Sequence, residues 1–313
     1  MTNTMADLTN ANLDQSKLLL FEKNFYRVAT QKDTKLLNTP AIKHMDIKGI
    51  SNISRMKGND LIEVTSEGRN PDKKYIDINN DNRRSVARRF TATYLVDSYD
   101  KAVQLITDPT SDLFENLKNA KNRMTDKCIA DAAISAVTVG APDVAGTSVS
   151  AADDGVATIA GTTTFNYSTV ISPAITRFTN NYIDCAAGVT LAIGARENQY
   201  LRDDDKYMNA FYSNQHTVDR GTITNASGFN VVTFAGNTQG GSTVDLPILP
   251  ESTAGVRSNV LMAPKSIAYA VEIGRLDCER SAKHVNSWEV TIDMWVKAVR
   301  LQGSKVIILT STI

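Results

Sequence analysis

Late in the chain, Trp288, Val290, Ile292, Met294, Val296 and Ala298 alternate with Glu289, Thr291, Asp293 and Lys297. A period of two sustained over this length excludes a helix and predicts one long strand with an apolar face and a polar face. Gln302-Gly303-Ser304 then reads as a turn into the apolar run 306–309. The two together predict a long antiparallel hairpin with one face packed.

A second constraint is the reverse in period. Leu113, Leu117, Ala120, Met124, Cys128 and Ala132 recur at spacings of three and four, with Asp112, Glu115, Lys118, Lys121 and Arg123 on the other faces. This predicts an amphipathic helix over about 109–137. Asp108 can cap it, Pro109 suits the first position, and Gly140-Ala141-Pro142 closes it. At 1.5 Å per residue it would run roughly 40 Å, the length of a spar.

The rest of the chain fills in around these two. Residues 1–48 carry one short apolar patch, Leu18, Leu19, Leu20, Phe21, Phe25 and Tyr26, in a polar, lysine-dotted context. Such a segment is expected to be mobile or packed on a neighbour. Short strands are expected at 61–64 and 75–78, with turns at 67–72 and 79–82. Val86, Phe90, Ala92, Tyr94 and Val96 share one strand face, and Arg89, Thr91 and Thr93 the other. This β excursion has little core of its own and needs a partner surface. Residues 140–168, rich in Gly, Ala, Ser, Thr and Asp, read as a surface excursion. Ser172-Pro173 opens a second helix to about 183, 189–193 is a buried strand, and 225–228 turns into a strand over 229–234. Residues 236–243 form a loop. Residues 262–273, with Ala263-Pro264 at the start, are apolar enough for a helix. No solenoid repeat is present.

Constellations for chemistry are few. His44, His216 and His284 are isolated, and no phosphate-cradling or nucleophile-elbow motif occurs. Cys128, Cys185 and Cys278 lack CxxC spacing and read as small buried hydrophobes in a reducing compartment. Asp77, Asn79 and Asp81 have the spacing of a calcium loop, but Asn82 stands where Gly is needed and Arg88 where the bidentate Glu is needed, so a polar turn is expected. Asp203-Asp204-Asp205 reads as a solvated turn or helix end. No catalytic residue, cofactor or metal is predicted. With 34 Lys+Arg against 34 Asp+Glu the formal net charge is zero, which argues against a dedicated nucleic-acid binder but not against passive contact. Residues 1–17 lack the basic start and apolar run of a signal peptide, and no apolar stretch reaches bilayer length. A soluble protein made in a cytoplasm, with no membrane contact, is expected.

One basic cluster stands out: Arg83, Arg84, Arg88 and Arg89. It is either a solvated strand end or a contact with acidic groups on a neighbour, or with nucleic acid. Arg88 shares a strand face with Phe90 and Tyr94, and a charge on an apolar face wants a partner. Arg83, Arg84, Arg88, Arg89, Phe90 and Tyr94 are therefore the candidate inter-subunit contacts.

The order of these features resembles the tailed-bacteriophage major capsid family, with its HK-ninety-seven-type fold. The likeness is carried by Arg88-Arg89, Tyr94, Asp97, Asp100, Asp108-Pro109-Thr110-Ser111, Asn119-Ala120, Arg123 and Asp126. Asp219-Arg220-Gly221-Thr222-Ile223 leading into Gly228-Phe229-Asn230-Val231-Val232, and Ala263-Pro264-Lys265-Ser266-Ile267-Ala268 before the final strands, continue it. The resemblance implies an α+β fold. Its expected parts are an N-terminal arm (1–48), an extended E-loop (49–92), a P-domain with a spine helix (93–170), an A-domain (171–255) and returning P-domain strands (256–313). It implies a structural subunit that self-assembles, as hexamers and pentamers, into an icosahedral head shell around double-stranded DNA. Scaffolding, portal and possible decoration proteins are the other implied partners. Lys73, Lys74 and Asn286 are of the types that some relatives cross-link, and no cross-link is predicted. An encapsulin-like compartment of the same fold is the alternative. A hydrolase built on His216 or His284 with carboxylates, and a secreted β-rich adhesin, are the other classes considered.

Overall fold

The computed structural model describes residues 31–48, 51–56, 80–97, 109–140, 146–161, 165–204, 223, 225–235, 248–250, 256–284 and 287–312. They belong to two compact units, the first Met1–Asp33, Arg89–Arg123 and Glu272–Trp295, the second Thr34–Arg88, Met124–Val271 and Val296–Ile313. Several elements expected from the sequence, among them the strands at 61–64 and 75–78, the turn at 67–72 and the loop at 236–243, lie outside the described residues.

The first unit holds most of strand β4 (Arg88–Asp97), the start of helix α1 (Pro109–Ile134), the end of β12 (Ile267–Arg280) and the start of β13 (Ser287–Arg300). Leu117 of α1 packs with Val290 and Ile292 of β13, flanked by half-buried Phe114 and Cys278. The strands of this unit run in the order β12-β13-β4, so among the described residues β4 lies on an edge; β1 (Ile42–His44) belongs to the second unit, where it pairs with the start of β12. The alternation that predicts β13 appears as buried Val290, Ile292, Met294 and Val296. From Asp293 onward the second face is covered too, since Asp293, Lys297 and Val299 are also buried.

The second unit is organised on a six-stranded sheet in the order β7-β14-β11-β8-β10-β9. Its strands are β7 (Ala157–Ala160), β8 (Thr190–Gly194), β9 (Asn225–Ala226), β10 (Phe229–Phe234), β11 (Val256–Met262) and β14 (Val306–Thr312). Phe165, Ile171, Phe178, Leu191, Ile193, Leu201, Phe229, Leu261, Ile307 and Leu309 form its core. α2 (Ser172–Asn180) and α3 (Ala195–Arg202) supply Phe178 and Leu201. Ser227 and Gly228 both have positive φ, 53° and 87°, the combination a two-residue hairpin turn of type I′ requires between β9 and β10. A third sheet runs β2-β3-β5-β6, built from β2 (Ser51–Met56), β3 (Asn80–Ser85), β5 (Val137–Val139) and β6 (Thr147–Val149).

Six expectations are corrected. β13 and β14 do not form a hairpin: β14 pairs antiparallel with β11, from Val256↔Thr312 to Met262↔Val306, in a different sheet from β13. Periodicity reports a strand's faces and not its partner. Residues 262–273 are strand and turn, not helix. Ala263 N donates to Lys305 O at 2.9 Å, Lys265 takes a left-handed φ of 53°, and Ile267, Ala268, Tyr269 and Ala270 are all buried. A run buried on both faces has no period to read. Residues 80–82 of the expected turn begin β3 instead. The second helical run starts early, in a π-turn over Tyr167–Ile171 capped by Asn166, whose Oδ1 accepts from Thr169 N at 2.9 Å.

The buried face of α1 is also rotated from the apolar stripe. Leu117 and Ala132 are buried, but Met124 and Cys128 are half-buried, while Asn119, Asn122, Thr125, Asp126, Ile129 and Ala133 are buried. Two of the polar residues fasten the segment expected to be mobile. Asn122 Nδ2 donates to Lys32 O at 2.6 Å. The Asp126 carboxylate accepts from Lys35 N at 2.9 Å and Leu36 N at 3.0 Å. β1 then pairs parallel with β12, Ile42 against Ile267, so 31–48 is packed on its own chain.

Candidate assembly surface

The basic cluster divides into members used within the subunit and members that face outward. Arg83 lies in β3 and is buried; its Nη2 donates to Asp154 Oδ1 and, at 3.3 Å, to Asp81 Oδ2. Arg300, at the end of β13, is buried beside it. Its Nε donates to Asp154 Oδ2 at 2.8 Å and its Nη1 to the carbonyls of Ala133 at 2.8 Å and Ser135 at 2.9 Å. Burial lowers the Arg300 pKa from its ordinary value, while the Asp154 hydrogen bond and charge pull it back up. One carboxylate from the 151–155 turn thus holds two guanidiniums. Arg83 departs from the expected outward contact for that reason.

Arg89 reaches across to β13. Its Nη2 donates to Asp293 Oδ2 at 2.7 Å, and its guanidinium lies 5.6 Å from the centre of the Trp295 ring. It remains 59% exposed, so the pair is a surface one. Phe90 is half-buried, and 91–95 are exposed. Val86, Tyr94 and Leu95 show 58%, 45% and 49% of their surface. Among the described residues β4 is an edge strand, and an edge strand with large exposed apolar side chains is a template for another chain.

Arg84 and Arg88 behave differently again. With Ser85 and Val86 they line a cleft of about 380 Å³ whose other walls are the end of α1, the start of β5 and Ala298-Val299-Arg300 of β13. Arg84 Nε, Ser85 Oγ and Arg300 Nη2 are buried without a hydrogen-bond partner. No Asp or Glu is among its described lining residues.

The other sequence candidates are dispersed. His44 and His284 are exposed, and His216 lies outside the described residues. Asp77 and Asn79 lie outside them too, while Asp81 pairs with Arg83. Asp203 ends α3 and Asp204 accepts from Tyr167 N at 2.7 Å, the helix-end role expected; Asp205 lies outside the described residues. The cysteines are free thiols, half-buried where full burial was expected. Burial first, and Asp131 second, push the Cys128 thiol up to about 11, against smaller opposing pulls from Arg88 and Lys127. Among the described residues no group of three or more His, Cys, Asp or Glu could hold a metal. None of their helices is long and apolar enough to cross a membrane.

Sequence reasoning missed Asp154, Asp126 and the buried pair of Glu197 with Arg257, whose Nη1 reaches Oε2 at 3.0 Å. Arg257 and Asn259 share a strand face with Leu261 and are buried with it. Charge on an apolar face was the available signal there, as it was for Arg88. Nothing local marks Asp154, which looks like any Asp in a polar turn.

Comparison with known sequences decides the family. The sequence profile described as phage capsid protein matches residues 13–312. The chain belongs to the phage capsid protein family. No curated protein matches it. Solved phage structures share its fold at low identity. A chain of Mycobacterium phage Che8 is 16% identical with a TM-score of 0.61, over 91% of this chain and 93% of that one. A chain from the acid-stable capsid of Helicobacter pylori bacteriophage KHP30 is 11% identical with a TM-score of 0.63, over 93% and 94%. One from the head of Helicobacter pylori bacteriophage KHP40 is 10% identical with a TM-score of 0.61, over 99% of both chains. The α+β chain described above is therefore a major capsid subunit with the HK-ninety-seven-type fold. It is a structural protein of the virion that builds a shell with copies of itself.

Proposed function

We propose that these capsid subunits join as hexamers and pentamers, assembled in the host cytoplasm, into an icosahedral head around double-stranded DNA. In this reading the subunit does its work through surfaces, without chemistry or cofactor. Scaffolding, portal and decoration proteins are its other partners, and DNA is held by non-specific contact. The 49–92 excursion and β4 lie over neighbours, with Arg88, Phe90 and Tyr94 among the contacts. The observation that carries the reading is β4: an edge strand among the described residues, it exposes Tyr94 and Leu95 and leaves apolar area for a second copy to cover. Individually weak contacts suffice because closure makes them multivalent.

Expression with the phage's own scaffold, followed by sedimentation and negative-stain microscopy, tests it. Rings, tubes, polyheads or closed shells are the expected products. A strictly monomeric protein at every concentration and salt tried would overturn the reading.

A further inference from the structure

The cleft at the β3–β4 connection has the makings of an anion socket. Arg84 and Arg88 line it from the connection side and Arg300 from β13. Ser85 and Arg300 are 3% and 0% exposed, yet Ser85 Oγ and Arg300 Nη2 lack a partner, as does Arg84 Nε. A buried donor left unmatched is costly, more so when it is charged. Three of them around one cleft call for a single acceptor able to take several bonds. The local charge points the same way: Arg83 and Arg300 share Asp154, Arg83 also meets Asp81, and Arg88 feels Asp131 near Cys128, so among the described residues three carboxylates stand against four arginines.

We propose that this cleft receives a carboxylate side chain from a second copy of the chain, a contact that rests on the shell-subunit reading. A carboxylate has the planar, multiply accepting geometry that guanidiniums match. Each copy carries 34 acidic residues against 34 basic ones, so a neighbour has carboxylates to offer without any other partner. Val86 at the cleft is 58% exposed. An occupant that covers Val86 as well as meeting the arginines must bring apolar atoms with its charge. A protein side chain does so on a slim alkyl stem, whereas a nucleic-acid phosphate is flanked by bulky sugars and reaches a buried donor poorly.

The test places a cross-linkable amine at the socket. Arg88→Lys subunits of natural and heavy-nitrogen isotope composition are mixed, assembled with the scaffold, treated with a zero-length carbodiimide and digested for mass spectrometry. The expected product joins the peptide containing position 88 to an acidic peptide of the other isotope, in particles and not in unassembled subunits. Arg88→Glu should cut the yield of closed particles at least tenfold while leaving the subunit's circular dichroism unchanged. Closed particles with no mixed-isotope link, or with links confined to one copy, overturn the socket and leave the shell reading standing. Wild-type protein that never assembles overturns both.

Discussion

Arg300 and Arg83 are bound to opposite oxygens of one carboxylate, that of Asp154, with both guanidiniums buried. The three residues come from strand β13, strand β3 and the 151–155 turn, so a single side chain ties together segments far apart in sequence. The turn is part of the 140–168 stretch, which by composition reads as a surface excursion.

Removing that carboxylate should be severe. Asp154→Ala leaves two buried cations without their shared counter-ion, and breaking a buried pair costs about 3–5 kcal/mol. The expected result in denaturant melts of the unassembled subunit is a large loss of stability or insoluble protein. Asp81→Ala should cost far less, because Arg83 keeps Asp154. Equal effects of the two changes would show that the clamp is not where the stability lies.

The arm segment provides a second test. Asp126→Asn keeps one acceptor oxygen but loses the charge and one of the contacts to Lys35 N and Leu36 N. A loss of about 1–3 kcal/mol is expected. Hydrogen exchange should quicken first at the Lys35 and Leu36 amides. Unchanged protection there would mean that β1 alone fixes the segment.

Arg88 and Arg89, adjacent in sequence, should separate cleanly. Arg89→Ala removes an exposed pair with Asp293 and a contact with Trp295, so the subunit should lose only about 1 kcal/mol or less, and less still at high salt. Arg88→Ala should leave the subunit's melting temperature alone and lower the yield of closed particles. Comparing thermal melts with particle counts for the two variants distinguishes them, and matching phenotypes would argue against the division.

Cys128 carries a pH prediction. Its thiol is raised from an ordinary 9.0 to about 11, chiefly by burial, so the folded state holds its proton where the unfolded chain has released it. That contribution is fully present below pH 9 and is lost as pH rises through about 11, because the native state then binds more protons than the unfolded one. Iodoacetamide should label Cys128 slowly in the native subunit at pH 8 and much faster in denaturant. Rapid native labelling at pH 8 would contradict the burial that raises it.

The sequence made the long elements legible and their partners illegible. α1 and β13 announce themselves by period, and β8 and β10 by apolar runs between turn signals. What period does not encode is pairing: adjacency in sequence suggests β13 as the partner of β14, whose mates are β11 and β7. Counting apolar residues alone turned the face of α1 toward Met124, because Asn122 and Asp126 are buried for the sake of backbone amides that no pattern reveals. The charge-on-an-apolar-face argument singles out Arg88 and applies equally to Arg257, but it has no means of telling that Arg83 is held from within.

The placement of β14 bears on when a subunit becomes ready. Among the described residues β7 has no sheet partner except β14, and β14 is also the antiparallel mate of β11. Residues 306–312 follow every other described strand in the chain, so a ribosome finishes them last among these elements. Until they emerge, β7 and one side of β11 have nothing to pair with, and closing so long a loop is slow. The six-stranded sheet is therefore completed only once residues 306–312 have been made, so its last two pairings are set at the end of the synthesis of these elements.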